Sequence, residues 1–274
     1  MSVEYKTPIL SYANQAMPLH QRFAIRSLEQ VTGRGPLYRR YRQYQKASRQ
    51  TVAGIAQWDL AVETLGIYDT QVPVPNLPKP RDGRGLLLVA NHPYGILDGV
   101  LLAWLASRID ADFRVIAIGV LCAEPSLNPN ILPISFDPDR ESLRQNVTTR
   151  QSAIKHLKRG NIVAIFPAGA VSWARQKHTA VEDEDWKPMA GKLINAGGCD
   201  VLPVRFHGAN SGLYQFFSRH MMSLRPGLYL RELKKSLDQQ IAFSIGEVIK
   251  NEDLPELPDH ALARHLRPFV EDLR

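Results

Sequence analysis

Two residues in LLLVANHPYGILDGVLLAWLA, residues 86–106, are of types that do chemistry together: His92 and Asp98. With Pro93 and Gly95 between them they do not share one face of a continuous helix, but a turn that folds back brings the carboxylate to the ring. A carboxylate on one imidazole nitrogen fixes the tautomer and supports positive charge, leaving the other nitrogen to take a proton from a hydroxyl. A plainer role for Asp98 is the N-cap of a helix starting at Gly99. The two roles are compatible, because one oxygen can cap while the other holds the ring. The second such stretch is IFPAGAVSWARQKH, residues 165–178. Its small residues let a backbone approach a ligand closely, and Ser172, Arg175, Lys177 and His178 follow within reach.

Both stretches begin as short apolar runs, and what precedes and follows them fixes the kind of fold that must hold them. Strand-like LLLVAN leads to helix-like GVLLAWLASRI, then strand-like FRVIAIG, a loop, and a helix from about Glu141 to Arg159. That helix ends with Lys155, Lys158 and Arg159 at its negative dipole end and with Gly160 available for the left-handed position. IVAIFP, a helix near Lys187–Ala196, DVLPVRF, the alternating IAFSIGEVI and a short helix from Asp259 complete the order. Alternating strands and helices predict an α/β layer fold, in which ligands sit at the carboxyl ends of strands. Residues 71–85 carry four prolines and read as a linker. From Pro36 to Leu65, apolar residues at Leu37, Tyr41, Tyr44, Thr51, Ile55, Val62 and Leu65 predict one basic amphipathic helix. Residues 1–70 are thus expected to form an N-terminal helical extension.

The 274 residues carry a net charge of +7, all of it in residues 1–50, where nine basic residues face two acidic ones. Such an end points to an anionic partner, nucleic acid or a membrane surface. Tyrosines beside arginines on a helix suit a lipid headgroup layer, so Arg39, Arg40, Tyr41, Arg42 and Lys46 are the expected membrane contacts and nucleic acid is not expected. The alternative is a solvated basic face. A second candidate surface is LYQFFSRHMMSLRPGLYL, with Phe216, Phe217, Met221 and Met222 among Arg219, His220 and Arg225; such stripes are also common in cores. No run reaches the roughly 18 apolar residues of a membrane span, and no secretory signal is visible at the start. Cys122 and Cys199 lie in no metal-binding or disulfide pattern and are expected to be reduced core thiols.

Four motifs in order, NHPYGILDG, ILPISFDPDR, FPAGAVS and VLPVRF, give residues 80–250 a resemblance to the glycerophospholipid and lysophospholipid acyltransferase superfamily. The resemblance implies an acyltransferase-type mixed sheet flanked by helices over residues 86–274. It also implies a general base at His92 with Asp98 as its orienting partner, and acceptor contacts across residues 166–172. The substrate-binding positions expected are Asn91, Gly95, Arg140, Phe166, Pro167, Ala168, Gly169, Ser172, Trp186 and Lys187. The chain departs from the common pattern in two places. Five residues rather than four separate His92 from Asp98, and Ala168 and Val171 stand where the third motif usually has glutamate and a phosphate-binding arginine. This resembles the hemolysin-like subgroup, a label that does not imply haemolysis, which includes bacterial O-acyltransferases that complete ornithine-type aminolipids. Arg140, Arg144 and Arg150 are candidates to replace the lost charge, and VEDEDWKPMAGK to meet an aminolipid head group.

The implied reaction moves a fatty acyl group from an acyl carrier protein or coenzyme A thioester to the free hydroxyl of a lyso-lipid. It needs no cofactor or metal and forms no acyl-enzyme, and the protein acts peripherally at the cytoplasmic face of a bacterial inner membrane. Oxyanion donors are expected near the start of the Gly99 helix or around Gly169. The competing readings are a lysophosphatidic acid acyltransferase, a non-catalytic membrane-binding module and a metal hydrolase, the last lacking a third ligand at convincing spacing. AFSIG, residues 242–246, sits in an alternating strand without the first glycine of a nucleophile elbow, which argues against a serine hydrolase.

Overall fold

A computed structural model describes residues 11–13, 17–52, 54–67, 77–81, 83–118, 124–137 and 139–274. Much of the expected linker, and Cys122, lie outside the described residues. The elements in chain order are α1 (Leu19–Thr32), α2 (Arg34–Ser48), α3 (Ile55–Leu65), β1 (Leu86–Ala90), α4 (Ile96–Ile109), β2 (Phe113–Ile118), β3 (Ile131–Ile134), α5 (Arg140–Leu157) and β4 (Ile162–Ile165). They continue with α6 (Met189–Gly197), β5 (Asp200–Phe206), α7 (Gly212–His220), a 3₁₀ segment (Met222–Leu228), α8 (Tyr229–Lys235), β6 (Phe243–Ile245) and α9 (Asp259–Glu271).

The strands form one sheet in the order β3-β2-β4-β1-β5-β6, parallel except for β6, which runs antiparallel to β5. β1 is central, and all five of its residues are buried, as a parallel strand covered on both faces must be. Its side chains alternate between two cores. Leu86, Leu88 and Ala90 pack with α2, α3, α4 and α8, whereas Leu87 and Val89 pack with α5, α6 and α9. The helices of residues 1–70 therefore share the sheet's own core through Leu37, Tyr44, Trp58 and Val62. Buried Cys199 belongs to the opposite core.

Three sequence expectations change here. The amphipathic pattern of residues 36–65 is not one helix: α2 ends at Ser48 and α3 starts at Ile55, with Gly54 at φ +94° between them. Buried Gln57 fills the break, donating from Nε2 to the carbonyls of Ser48 and Thr51 and accepting from the Ser48 hydroxyl. Residues 131–134, expected as loop, form β3. Pro133 obscured it, yet an edge strand tolerates a missing donor. The alternating run 241–249 contracts to β6 plus a single bridge between Val201 and Ile249.

α2 also presents less basic surface than its sequence suggested. Arg40 donates to the Thr64 carbonyl at 2.7 Å and pairs with Asp238, and Tyr41 donates to Glu124 at 2.7 Å. These two expected membrane contacts are turned to the body of the protein, while Arg39, Arg42 and Lys46 stay exposed. At the other end of the extension, fully buried Glu29 of α1 accepts from the Ser11 hydroxyl and the Tyr12 amide, both at 2.7 Å. The Tyr12 ring thereby lies 4.8 Å from that of Tyr229.

Candidate active site

The register of the sheet sets the site. β1 and β4 pair with Val89 opposite Ile165, so the residues just past the two strand ends emerge side by side. His92 follows β1 and Phe166 follows β4, and their rings stack 4.1 Å apart at 25°. The chain between β1 and α4 then turns sharply, with Gly95 at φ +92°, a conformation that L side chains rarely adopt; a Cβ there would also stand 3.2 Å from Val171. Asn91 does not face a ligand. Its amide group donates to the Phe206 carbonyl and accepts from the Phe206 N–H, tying the end of β1 to β5.

α4 begins at Ile96, three residues before the expected Gly99, so Asp98 is not its N-cap. From the first turn Asp98 reaches back, and its Oδ2 accepts the N–H groups of Tyr94 at 2.7 Å and Gly95 at 3.0 Å. The same oxygen lies 3.1 Å from His92 Nδ1. One oxygen thus takes both roles that the sequence divided between two, while Oδ1 accepts no hydrogen bond among the described residues. The carboxylate is fully buried and the His92 side chain is 17% exposed, on the wall of a cavity of about 680 Å³. The contact to Nδ1 is one of charge and proximity rather than an aligned hydrogen bond; such contacts in ligand-free sites commonly tighten with substrate.

A second buried carboxylate braces the loop that carries His92. Asp183 Oδ1 accepts the His92 N–H at 3.1 Å and the Ser172 hydroxyl, and Oδ2 accepts the Trp186 indole N–H at 3.0 Å. The Ser172 N–H closes the arrangement on the His92 carbonyl at 2.8 Å. Burial pushes the Asp183 carboxyl above its ordinary range, against the opposing pull of the Ser172 and His92 hydrogen bonds. Asp183 stands inside the acidic run VEDEDWKP. Its brace role was hidden because its partners come from distant parts of the chain.

The expected substrate positions divide accordingly. Gly95, Phe166, Pro167, Gly169 and Lys187 line the cavity with His92. Ala168 is fully buried in the α5–α6–α9 core, and Ser172 and Trp186 are buried and spent on Asp183, so these three support the wall from behind. Arg140 and Arg144 are exposed and Arg150 is half-buried, and none of the three lines the cavity. Lys187 holds its ammonium 4.6 Å from the Phe136 ring centre. Two of the amides in the regions expected to supply oxyanion donors are already committed: Gly169 N–H bonds to the Phe166 carbonyl and Gly99 N–H to the Gly95 carbonyl. Sequence reasoning missed Tyr12, Tyr229 and the cavity role of Arg225. No group of three or more potential metal ligands occurs among the described residues.

A buried carboxylate beside a partly exposed imidazole on the wall of a largely apolar cavity of ligand-binding size fits proton abstraction from an amphiphilic hydroxyl compound. The comparisons with known proteins bear on the class of reaction. A lyso-glycine lipid O-acyltransferase of Bacteroides thetaiotaomicron is 30% identical over 159 residues, covering 57% of this chain and 52% of that protein. Another from Phocaeicola vulgatus is 26% identical over 163 residues, covering 57% and 54%. The chain therefore spans about half the length of the curated relatives it matches. The family model described as Acyltransferase matches residues 75–238, which hold both the His92–Asp98 pair and the Asp183 brace, and the chain belongs to that family.

Proposed function

We propose that the protein transfers a fatty acyl group from an acyl carrier protein or coenzyme A thioester to the free hydroxyl of a lyso-lipid, and that the acceptor is a lyso-aminolipid. The observation that carries this reading is the 3.1 Å approach of buried Asp98 to His92 on the wall of the cavity. Asp98 holds Nδ1 and stabilises the imidazolium, and His92 Nε2 takes the hydroxyl proton as the oxygen attacks the thioester carbonyl. Collapse of the tetrahedral intermediate expels the thiolate, which recovers that proton from His92. Ala170 and Val171 line the cavity beside Gly169, and their amides are the donors we assign to the oxyanion. The acyl chain occupies the apolar part of the cavity, between Ile116, Ile134 and Ile165.

The amphiphilic substrates support a peripheral position at the cytoplasmic face of a bacterial inner membrane. In this reading the contact surface is α1 and the 3₁₀ segment with the residue before it, where Leu19 is 79% and Phe23 75% exposed and Met221 and Met222 are also exposed, with Arg39, Arg42 and Lys46 as the basic contribution of α2. No described helix is long and apolar enough to cross a membrane.

The test offers purified protein a palmitoyl thioester with lyso-glycine lipid, lyso-ornithine lipid or lysophosphatidic acid. Transfer to an aminolipid, lost in His92→Ala with an unchanged fold, is the expected result. Exclusive transfer to lysophosphatidic acid refutes the acceptor assignment, and undiminished transfer by His92→Ala refutes the base.

A further inference from the structure

The cavity contains a charge that the fold leaves unanswered. Arg225, in the 3₁₀ segment, is only 8% exposed, and no carboxylate pairs with it among the described residues. Its Nη1 is buried without a hydrogen-bond partner, and its guanidinium carbon sits 5.9 Å from the centre of the Tyr214 ring. Three partly buried arginines are answered by carboxylates, Arg81 by Asp200 and Glu252, Arg231 by Glu232 and Arg267 by Glu271, whereas Arg22, whose Nε is also buried without a partner, does not line the cavity. A buried guanidinium without a counter-charge is destabilising by several kcal/mol. A fold that keeps one at a cavity wall holds it ready for an anion arriving from the cavity.

The position relative to the base is defined by contacts. Arg225 lies over Tyr214, whose ring centre is 5.9 Å from that of Tyr229, and a Cβ placed on Gly95 would be 3.8 Å from Tyr229. Arg225, Tyr229, Gly95 and His92 all line the one cavity. An acceptor with its hydroxyl at His92 and its head group toward Tyr229 therefore brings that head group to the guanidinium. Lys187, the other cation on the wall, is exposed and rests on Phe136, a setting in which its charge is answered by water.

We propose that Arg225 is the binding group for the anionic part of the acceptor head group, a carboxylate or a phosphate, held through charge-assisted guanidinium hydrogen bonds. This rests on the acyl-acceptor reading given above and adds to it the requirement for a negatively charged head group. A carboxylate and a phosphate each present two oxygens to the fork of a guanidinium, a match that a lysine cannot reproduce.

The experiment compares wild type, Arg225→Met and Arg225→Lys in two assays. In steady-state transfer, lyso-glycine lipid, its methyl ester and lysophosphatidic acid are the acceptors. The wild type is expected to prefer the anionic acceptors, the carboxylate and phosphate arms showing which anion it takes. Arg225→Met is expected to raise KM for the preferred one about 10- to 100-fold and so abolish the preference over the ester, with Arg225→Lys intermediate. In the second assay, titration calorimetry follows an unreactive lyso-lipid lacking the acceptor hydroxyl, with the same loss of affinity expected. Thermal unfolding of Arg225→Met should be unchanged or higher, because a buried unpaired charge has been removed; a marked fall would mean a structural role and overturn the proposal. A change in KM for the thioester instead of the acceptor, an equal effect on acid and ester, or no effect overturns it as well. If no acyl transfer is seen with any acceptor but the analogue binds in an Arg225-dependent way, the catalytic reading fails and the anion site stands.

Discussion

Asp98→Asn separates the charge of the carboxylate from its service to the backbone. An asparagine carbonyl can still accept the N–H groups of Tyr94 and Gly95, as Oδ2 does at 2.7 and 3.0 Å. The new NH₂ then takes the place of Oδ1, which accepts no hydrogen bond among the described residues, so no existing donor is opposed. What disappears is a negative charge 3.1 Å from Nδ1 of the base. With an effective dielectric near 20, a full charge pair at that distance is worth about 5 kcal/mol, an upper limit on what the imidazolium formed during transfer gains. At about 1.4 kcal/mol per factor of ten, that limits the loss to between three and four powers of ten. Some of the Nδ1 contact survives as a dipole, so we expect kcat to fall about 10²- to 10⁴-fold with KM for the acceptor nearly constant. Initial rates of thioester consumption, read alongside urea unfolding, measure both halves. The expected stability change is below about 1.5 kcal/mol, the scale of one altered hydrogen bond. A rate within tenfold of wild type, in a protein that unfolds at the same urea concentration, would refute the reasoning and leave Asp98 as a helix-start residue only.

Two other predictions test the supports of the site and the fold. Asp183→Asn cannot accept from the His92 amide, the Ser172 hydroxyl and the Trp186 indole as both oxygens now do. It should destabilise the protein by about 1–3 kcal/mol and lower kcat through a displaced His92; urea unfolding with parallel rates checks this, and unchanged values for both would remove Asp183 from the site. The second concerns acid. The Arg81 guanidinium takes Glu252 from the usual 4.5 down to about 2; burial pushes Asp200 up, but Arg81 and the Asn251 N–H outweigh it and leave that carboxyl low. Carboxylates lowered on folding contribute stability that is complete above their unfolded range and is lost as pH falls through the folded values. Glu29 and Asp183, raised mainly by burial, act in the opposite sense, so the discriminating quantity is the difference from Arg81→Gln. That difference in midpoint denaturant concentration should be full above about pH 5 and shrink toward pH 2; a difference independent of pH would refute it.

How much of this was legible in the sequence depended on how local the cause was. β1, β5, α4 and α5 follow from apolar runs and helix-end residues within a few positions, and Gly160 takes the left-handed conformation its position after Lys158 and Arg159 suggested, at φ +84°. The His92–Asp98 approach spans one turn and was legible too, although the start of α4 at Ile96 moved Asp98 from the cap into the first turn. β3 was lost to Pro133, whose meaning changes between a central and an edge strand, and edge position is a property of the whole sheet. The single helix over residues 36–65 failed because its stripe continues through Thr51 into α3 while the backbone does not; the side chain that bridges the break, Gln57, carries no signal of its own.

The parts of the site that were not legible share one property: their chemistry is decided by an absence or by a distant partner. Ser172 has the residue type of a ligand-binding hydroxyl, but Asp183 already occupies it. Arg140 and Arg225 are indistinguishable as letters, yet one is exposed at the start of α5 and the other is buried against Tyr214 with a nitrogen left unpaired. In water a guanidinium satisfies its hydrogen bonds at little cost, so an exposed arginine implies no ligand; withdrawn from water, the same group must be answered by the protein or by what the protein binds. The seven-residue segment Met222–Leu228 decides this, because it packs against α1 and α7 and carries Arg225 to the cavity wall. α1 is held on the same side by Glu29, which draws Ser11 and Tyr12 across to Tyr229. The basic N-terminal region, which by composition suggested only an anionic surface partner, thus also helps line the cavity that holds the base. The cation of greatest consequence for the acceptor lies outside that region, where net charge gave no sign of it.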